Sequence, residues 1–102
     1  MNLFTPFPFL NLKNRAVMAP MTRYGCTEDG SPTEELVNYY MKRAENDLGL
    51  IIIESSAINE NHAMGYLNGA QFHSKEHALN WKPLVDKIHQ QGTKVWVQLF
   101  HA

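Results

Sequence analysis

Three polar side chains of this sequence follow or end short apolar runs. Thr22 comes soon after the first run, Ser55 follows the second, and Gln98 lies near the end of the third. A glutamine amide presents a donor and an acceptor side by side, as the imide or amide edge of a bound heterocycle requires. The competing interpretation is structural, because an amide in an apolar strand has to find a partner in neighbouring backbone or side-chain groups.

Five further side chains are weaker candidates for chemistry. Glu54 ends its apolar run and is either a base or one half of an ion pair with an arginine. Arg23 is suited to an anion, although an ordinary salt bridge is the simpler interpretation. Cys26 is interpreted as a free loop thiol, since a single cysteine offers no arrangement for nucleophilic catalysis. His73 and His77 have helical i, i+4 spacing but lack the glutamate of HExxH, so surface histidines are preferred to a metal site.

Two aromatic residues, Tyr24 and Phe100, lie just past the ends of apolar runs. That placement favours the walls of a pocket over positions in the core. No GxGxxG and no Walker glycine loop follows any of the runs, which argues against a Rossmann or P-loop nucleotide site.

Two amphipathic segments separate the three apolar runs. The runs cover residues 16–19, 50–53 and 94–99, and the predicted helices cover residues 33–46 and 74–91. This βαβαβ order, with short helix-to-strand links, predicts an α/β fold of parallel strands with right-handed crossovers. Both long loops leave from the carboxyl ends of strands, where barrels and doubly wound sheets alike bind ligands.

Turn and capping residues set the predicted ends of these elements. The first helix starts either with a capping box from Ser31 or with Thr33 as its N-cap. Pro83 lies inside the second helix, which leaves open a single turn followed by a helix capped by Asn80. Before the first strand, aromatics alternate with prolines over residues 4–10, a pattern that predicts a short edge hairpin.

Length and composition restrict the function classes. The chain has 102 residues, 44% of them apolar and 19% charged, which suits one small globular domain. A formal net charge of −1 with scattered basic residues indicates neither nucleic acid nor a membrane surface as a partner. The longest aliphatic run, residues 50–53, is too short to span a bilayer. Residues 1–10 make a poor signal peptide and Cys26 is the only cysteine, so a reducing, cytoplasmic location is expected.

Three segments of the sequence resemble one enzyme family. They are AVMAPMTRYG, YYMKRAENDLGLIIIESSAI and WKPLVDKIHQQGTKVWVQLFHA, and their order and spacing are similar to those of the old yellow enzyme family. Members of that family are FMN-dependent ene-reductases, often named NADH:flavin oxidoreductases. The resemblance implies a (β/α)₈ TIM barrel that an N-terminal hairpin closes at its bottom. Residues 1–102 would then be the N-terminal part of a single FMN-binding domain, with about three of the eight barrel strands.

The resemblance also implies which residues bind the cofactor. Pro20, Met21 and Thr22 would lie along the isoalloxazine ring, with Thr22 near the flavin C4 oxygen and N5. Ser55 stands where the family has a small residue whose backbone N–H meets the flavin. Gln98 would bond the flavin pyrimidine edge.

The substrate side of the site is only partly contained in this segment. By the resemblance, Tyr24 and Phe100 would border the substrate cavity, and His101 belongs to the family's Q-L-x-H motif. The implied reaction uses NADH or NADPH to reduce FMN, followed by hydride transfer to the β-carbon of an α,β-unsaturated substrate. The family's carbonyl-binding pair, its proton-donating tyrosine and its FMN phosphate site lie beyond Ala102, so no catalytic residue is expected here.

Two other interpretations compete with this one. A catalytically inactive α/β fragment would present open sheet edges and self-associate into homo-oligomers. A small flavodoxin-like binding domain is disfavoured by the missing phosphate loop.

Overall fold

Parallel strands and two helices make up the part of the chain that the computed structural model describes, residues 1–60 and 63–102. All pairings between the named strands in that part are parallel. The elements are β1 (Val17–Met18), α1 (Glu34–Ala44), β2 (Leu50–Ala57), β3 (Ala70–Gln71), α2 (Lys75–Gln90) and β4 (Lys94–Phe100). This is the βαβαβ order that the sequence predicts, with one further short strand, β3, which the sequence reasoning missed.

Strand β2 is the centre of the sheet. Its run of leucine and isoleucine suits a strand with neighbours on both edges. β4 pairs along one edge, with Leu50 opposite Lys94 and Ala57 opposite Phe100. β1 and β3 share the other edge, at the beginning and the end of β2 respectively. The predicted lateral order of the first, second and third strands is therefore confirmed.

Capping residues define the helix starts. Thr33 is the N-cap of α1, and its Oγ1 accepts from the Leu36 N–H at 3.3 Å, so the second of the two predicted starts is correct. Ser74 caps α2, which runs through Pro83 without a break, and the alternative of a helix capped by Asn80 is wrong. Pro83 lies on the exposed side of α2, where the carbonyl that loses its partner can bond to water. Neither helix of this described part is long and apolar enough to cross a membrane.

The N-terminal segment forms the predicted hairpin. Phe7 and Leu12 exchange two backbone hydrogen bonds of 3.0 Å around a short 3₁₀ helix at Pro8–Leu10. The hairpin and the sheet residues Ile52 and Trp96 together line an apolar cavity of about 390 Å³. The hairpin therefore covers the amino end of one sheet face only in part.

The two faces of the sheet differ in their cover. Both helices pack on one face, where they meet Ile51 and Ile53 of β2. Their buried core residues are Leu36, Tyr40, Ala44, Trp81, Leu84 and Ile88. Crossovers of one hand between neighbouring strands place both helices on the same side, so the opposite face has no helical cover. On that face Val17 is 48% exposed and Trp96 is 50% exposed.

Gly30 joins the long loop after β1 to both β3 and α2. Its carbonyl accepts from the Gln71 backbone N–H at 3.1 Å and from Nε1 of Trp81 at 3.2 Å. Its φ is +83°, and a Cβ at this position would lie 2.4 Å from the Gln71 side chain. Gly92 has a similar φ of +78°, but a Cβ there would meet only the flexible Lys13 side chain, at 3.6 Å.

Replacing Gly30 by alanine should lower the free energy of unfolding more than the same change at Gly92. Both variants force an alanine into the left-handed backbone region, at a cost of about 1–2 kcal/mol. Only Gly30→Ala adds a steric clash, which costs a further ~1–3 kcal/mol. Urea unfolding of the two variants measures the difference. Equal losses would show that the space around Gly30 does not limit its side chain.

Candidate functional site

Strand β2 has a β-bulge, because it contains one more residue than β4 over the same stretch of their pairing. Ile53 lies opposite Val97 and Ser56 lies opposite Leu99, so three steps along β2 match two steps along β4. Such a bulge interrupts the alternation of side chains along a strand. Ile53 and Glu54 consequently both face the helices, because Ile53 packs in the core and Glu54 bonds to α1.

The bulge turns Ser55 toward the other face of the sheet. There its Oγ donates to Oε1 of Gln98 at 2.9 Å. Ser55 is half-buried and Gln98 is exposed, so the pair lies open. Among residues 1–60 and 63–102, the amide Nε2 of Gln98 forms no hydrogen bond. Gln98 therefore satisfies its oxygen within the protein, as the structural interpretation expects, and keeps its donors available to a ligand.

The segment after β1 reaches the same end of the sheet. The Arg23 N–H donates to Oε2 of Glu54 at 3.2 Å. Because Thr22 precedes Arg23, this bond brings Thr22 close to the carboxyl-terminal half of β2. Within the described residues no hydrogen bond joins Thr22 to the Ser55–Gln98 pair. The residues predicted to lie along the flavin are all exposed or half-buried: Pro20, Met21 and Thr22.

Three aromatic rings form a row beside this end of the sheet. Tyr66 contacts Tyr24 edge-on and stacks on Phe100 at an interplanar angle of 27°, with ring centroids 5.8 Å apart in both pairs. The two predicted pocket residues, Tyr24 and Phe100, thus come together through Tyr66.

Sequence reasoning missed Tyr66, because it lies in a loop without periodicity. The close approach of this loop to Phe100 appears only in the structure, where a Cβ at Gly65 would lie 2.8 Å from the Phe100 ring.

Glu54 is a fully buried carboxyl group. The Tyr40 hydroxyl donates to its Oε1 at 2.9 Å, and the Arg23 N–H donates to its Oε2. Burial raises the pKa of Glu54. The hydrogen bonds from Tyr40 and the Arg23 N–H, together with the positive charge of Arg23, offset only part of that rise. The ion pair predicted with an arginine does not form in the described part of the chain, since the Arg23 guanidinium lies over the Tyr39 ring at 4.3 Å. A carboxyl group without exposure also cannot reach a ligand as a base.

Cys26, His73 and His77 take no part in this arrangement. Cys26 is a free cysteine in the loop after β1, as expected, and its side chain is buried in the core. Burial, with the charges of Glu54 and Asp29, raises the pKa of its thiol to about 12. The thiol is therefore protonated and unreactive at neutral pH. His73 and His77 pack edge to face with ring centroids 4.4 Å apart, and both line a polar cleft of about 640 Å³ that includes no predicted flavin contact. The expected surface position is wrong for His77, which is buried with its Nε2 at 2.7 Å from the Asp29 carbonyl oxygen. No three potential metal ligands cluster among the residues described.

The architecture defines an α/β class. A parallel sheet with both helices on one face and polar groups toward the carboxyl ends of its strands fits one part of an α/β barrel or one half of a doubly wound sheet. The profile of the NADH:flavin oxidoreductase / NADH oxidase family matches residues 2–102. The chain belongs to this family, that of the old yellow enzymes, whose members depend on FMN and use NADH or NADPH as reductant.

Individual relatives agree over nearly the whole chain. NADPH dehydrogenase of Bacillus subtilis (strain 168) is 38% identical over 105 residues, which cover 98% of this chain and 30% of that protein. A protein of Epichloe festucae var. lolii named probable inactive reductase easA is 36% identical over 101 residues, covering 97% and 26%. The crystal structure of Old Yellow Enzyme from Pichia sp. AKU4542 has a TM-score of 0.87 at 34% identity, covering 98% and 26%. The chain thus spans about a quarter to a third of the length of these relatives. The family and the partial (β/α)₈ barrel predicted from the sequence are confirmed.

The buried Glu54 should make stability depend on pH in a defined direction. Its pKa in the folded chain is raised above the ordinary value of 4.5. Between that value and the raised pKa, the folded state binds more protons than the unfolded state, so the free energy of unfolding falls as pH rises through this window. Glu54→Gln has no titrating group at this position. Its free energy of unfolding relative to wild type should therefore increase as pH rises from about 4.5 through the raised pKa of Glu54.

Urea unfolding of both proteins at several pH values measures this difference. A difference that does not change with pH would contradict the raised pKa.

Proposed function

We propose that residues 1–102 are the N-terminal part of a single FMN-binding (β/α)₈ domain, and that the whole protein is an NAD(P)H oxidoreductase that reduces activated alkenes. The observation that carries the proposal is the Ser55–Gln98 pair, which lies open at the carboxyl ends of β2 and β4. That end of the strands binds the ligand in barrels. Membership of an FMN-dependent family supports the choice of cofactor.

The Gln98 amide would bind the pyrimidine edge of FMN. Because Oγ of Ser55 donates to Oε1 of Gln98, the amide plane is fixed and its N–H groups remain for the cofactor. The Ser55 backbone N–H would be a second contact. Pro20, Met21 and Thr22 would lie along the ring, and their exposed or half-buried side chains leave room for it.

The substrate would lie beside the cofactor, against the aromatic row. When bound, FMN supplies hydride transfer from NADH or NADPH to the β-carbon of an α,β-unsaturated substrate. Tyr24, Tyr66 and Phe100 would form an apolar wall for such a small molecule. We assign no catalytic residue to this segment. A cytoplasmic location, expected from the single cysteine, belongs to the same proposal.

Replacing Gln98 by leucine should weaken FMN binding without unfolding the protein. In the whole protein, the loss of the amide leaves a polar edge of FMN unpaired, at a cost of about 1–3 kcal/mol or about 5- to 150-fold in Kd. Fluorescence titration of the apoprotein with FMN measures the change. Gln90→Leu, the same substitution at an exposed position of α2, is the matched control and should leave the Kd unchanged.

The titration distinguishes rejection of the proposed function from rejection of the proposed role of Gln98. A wild-type protein that does not bind FMN would reject the proposed function. A wild-type protein that binds FMN with the same Kd as Gln98→Leu would show that Gln98 serves only as a partner of Ser55.

A second proposal concerns the 102-residue chain by itself, as an inactive α/β fragment that self-associates. Val17, Trp96 and Leu99 are exposed by 48%, 50% and 64%. In the part of the chain that is described, β4 pairs on one edge only. Open edges and exposed apolar patches favour association between copies. The name of the Epichloe relative, probable inactive reductase, fits loss of activity within the family.

The isolated chain should therefore sediment as dimers or larger species, in proportions that grow with concentration. Trp96→Glu places a charge on the uncovered face and should shift the distribution toward monomer. Leu79→Glu is the matched control, since Leu79 is 56% exposed on α2, and should not shift it. Sedimentation velocity would contradict this proposal by finding a monomer at every concentration.

A further inference from the structure

Glu54 and Tyr40 form a closed hydrogen-bonded pair beneath the candidate site. The Tyr40 hydroxyl donates to Oε1 of Glu54 at 2.9 Å and accepts from the Glu54 backbone N–H at 3.1 Å. Both residues are 0% exposed. A buried carboxyl group is costly to keep unless its oxygens are hydrogen-bonded. The second oxygen, Oε2, accepts from the Arg23 N–H at 3.2 Å, so the pair also anchors the segment after β1.

The anchored residue lies between two predicted contacts of the site. Thr22 precedes Arg23, and Tyr24 follows it with a φ of +55°. A left-handed conformation at a residue other than glycine persists only where its surroundings fix the backbone. Arg23 is fixed twice, by its N–H on Glu54 and by its guanidinium over the Tyr39 ring at 4.3 Å. The strained turn can therefore direct Tyr24 toward the aromatic row.

The same pair also stabilises the bulge that orients Ser55. Glu54 is one of the residues in the irregular stretch of β2 between Ile53 and Ser56. Its backbone N–H bonds to the Tyr40 hydroxyl. A buried phenol on α1 thus compensates for the irregular backbone beside the Ser55–Gln98 bond.

We propose that Glu54 and Tyr40 are positioning residues for the cofactor face, an inference that rests on the proposed function. Neither side chain reaches the open face itself. The side chain of Glu54 sets the position of Thr22 and Tyr24 through Arg23, and its backbone sets the position of Ser55 through the bulge. One buried pair therefore aligns contacts contributed by two different strands.

Tyr40→Phe in the whole protein tests this proposal. It removes one hydroxyl, keeps the ring in the core, and leaves Glu54 without two of its hydrogen bonds. We expect FMN to bind at least about fivefold more weakly and the visible absorption of bound FMN to shift. Thr93→Val, just before β4, also removes one buried hydroxyl, which donates to the Leu48 carbonyl at 2.7 Å and has no contact with the Glu54–Tyr40 pair. This control should leave both measurements unchanged.

Glu54→Gln provides a second variant in case Tyr40→Phe does not fold. Tyr40 and Arg23 donate to different oxygens of Glu54, and in glutamine an NH2 group that cannot accept replaces one of them, so one of the two hydrogen bonds is lost. It should also weaken FMN binding and shift the absorption.

The measurements separate positioning from simple stabilisation. A folded variant with a lower Tm but an unchanged FMN Kd and spectrum would overturn the proposal, as would failure of both variants to fold. Weaker FMN binding in Tyr40→Phe and not in Thr93→Val would support it. Absence of FMN binding by the wild-type protein would reject both this inference and the proposed function. Binding by wild type without any effect of the variants would reject the inference alone.

Discussion

The extra residue in β2 is the constraint on which the rest of the arrangement depends. Before it, Ile51 and Ile53 follow the alternation of a regular strand and build the core with both helices. If that alternation continued, Ser55 would face the helices and Glu54 the open side. The bulge reverses these directions, so the carboxyl group bonds within the core and Ser55 bonds Gln98. One strand thereby contributes to the core along its whole length and still presents Ser55 to the open face.

Much of the fold is predictable because its signals are local. A continuous apolar run indicates a buried parallel strand, and β2 is central. A threonine before two glutamates indicates a helix start, and Thr33 caps α1 through its own Oγ1. The predicted end of β2 is wrong, because the strand continues past Ile53 to Ala57. The parallel direction of β2 and β4 is nevertheless enough to expect Ser55 and Gln98 toward the same edge of the sheet. Each of these inferences needs only neighbouring residues and the parallel direction of the strands.

The features that escape prediction all depend on contacts distant in sequence. A bulge is an offset between two strands, and periodicity within β2 alone does not show it. Glu54 was expected to act as a base or to pair with an arginine. Its actual partner, Tyr40, lies 14 positions away on a helix, and no residue near Glu54 in the sequence indicates this contact. Cys26 is a free thiol as expected, but its burial in the core depends on contacts that its loop sequence does not show. Tyr66 joins the candidate site only through its contacts with the rings of Tyr24 and Phe100.

The open face of the sheet has two parts with different requirements. At the amino ends of the strands this face is apolar, with Val17, Ile52 and Trp96 beside the hairpin. Burial of these side chains would stabilise the folded protein. At the carboxyl ends it carries the Ser55–Gln98 pair, where hydrogen bonds to a polar edge would be gained instead. Further strands of a barrel would cover the first part without displacing a ligand from the second. Association between copies of the isolated chain would cover the same apolar surface, but would not supply the fixed partners that a flavin needs. Completion of the barrel and binding of the cofactor are therefore compatible, whereas self-association competes with completion of the barrel for the same apolar surface.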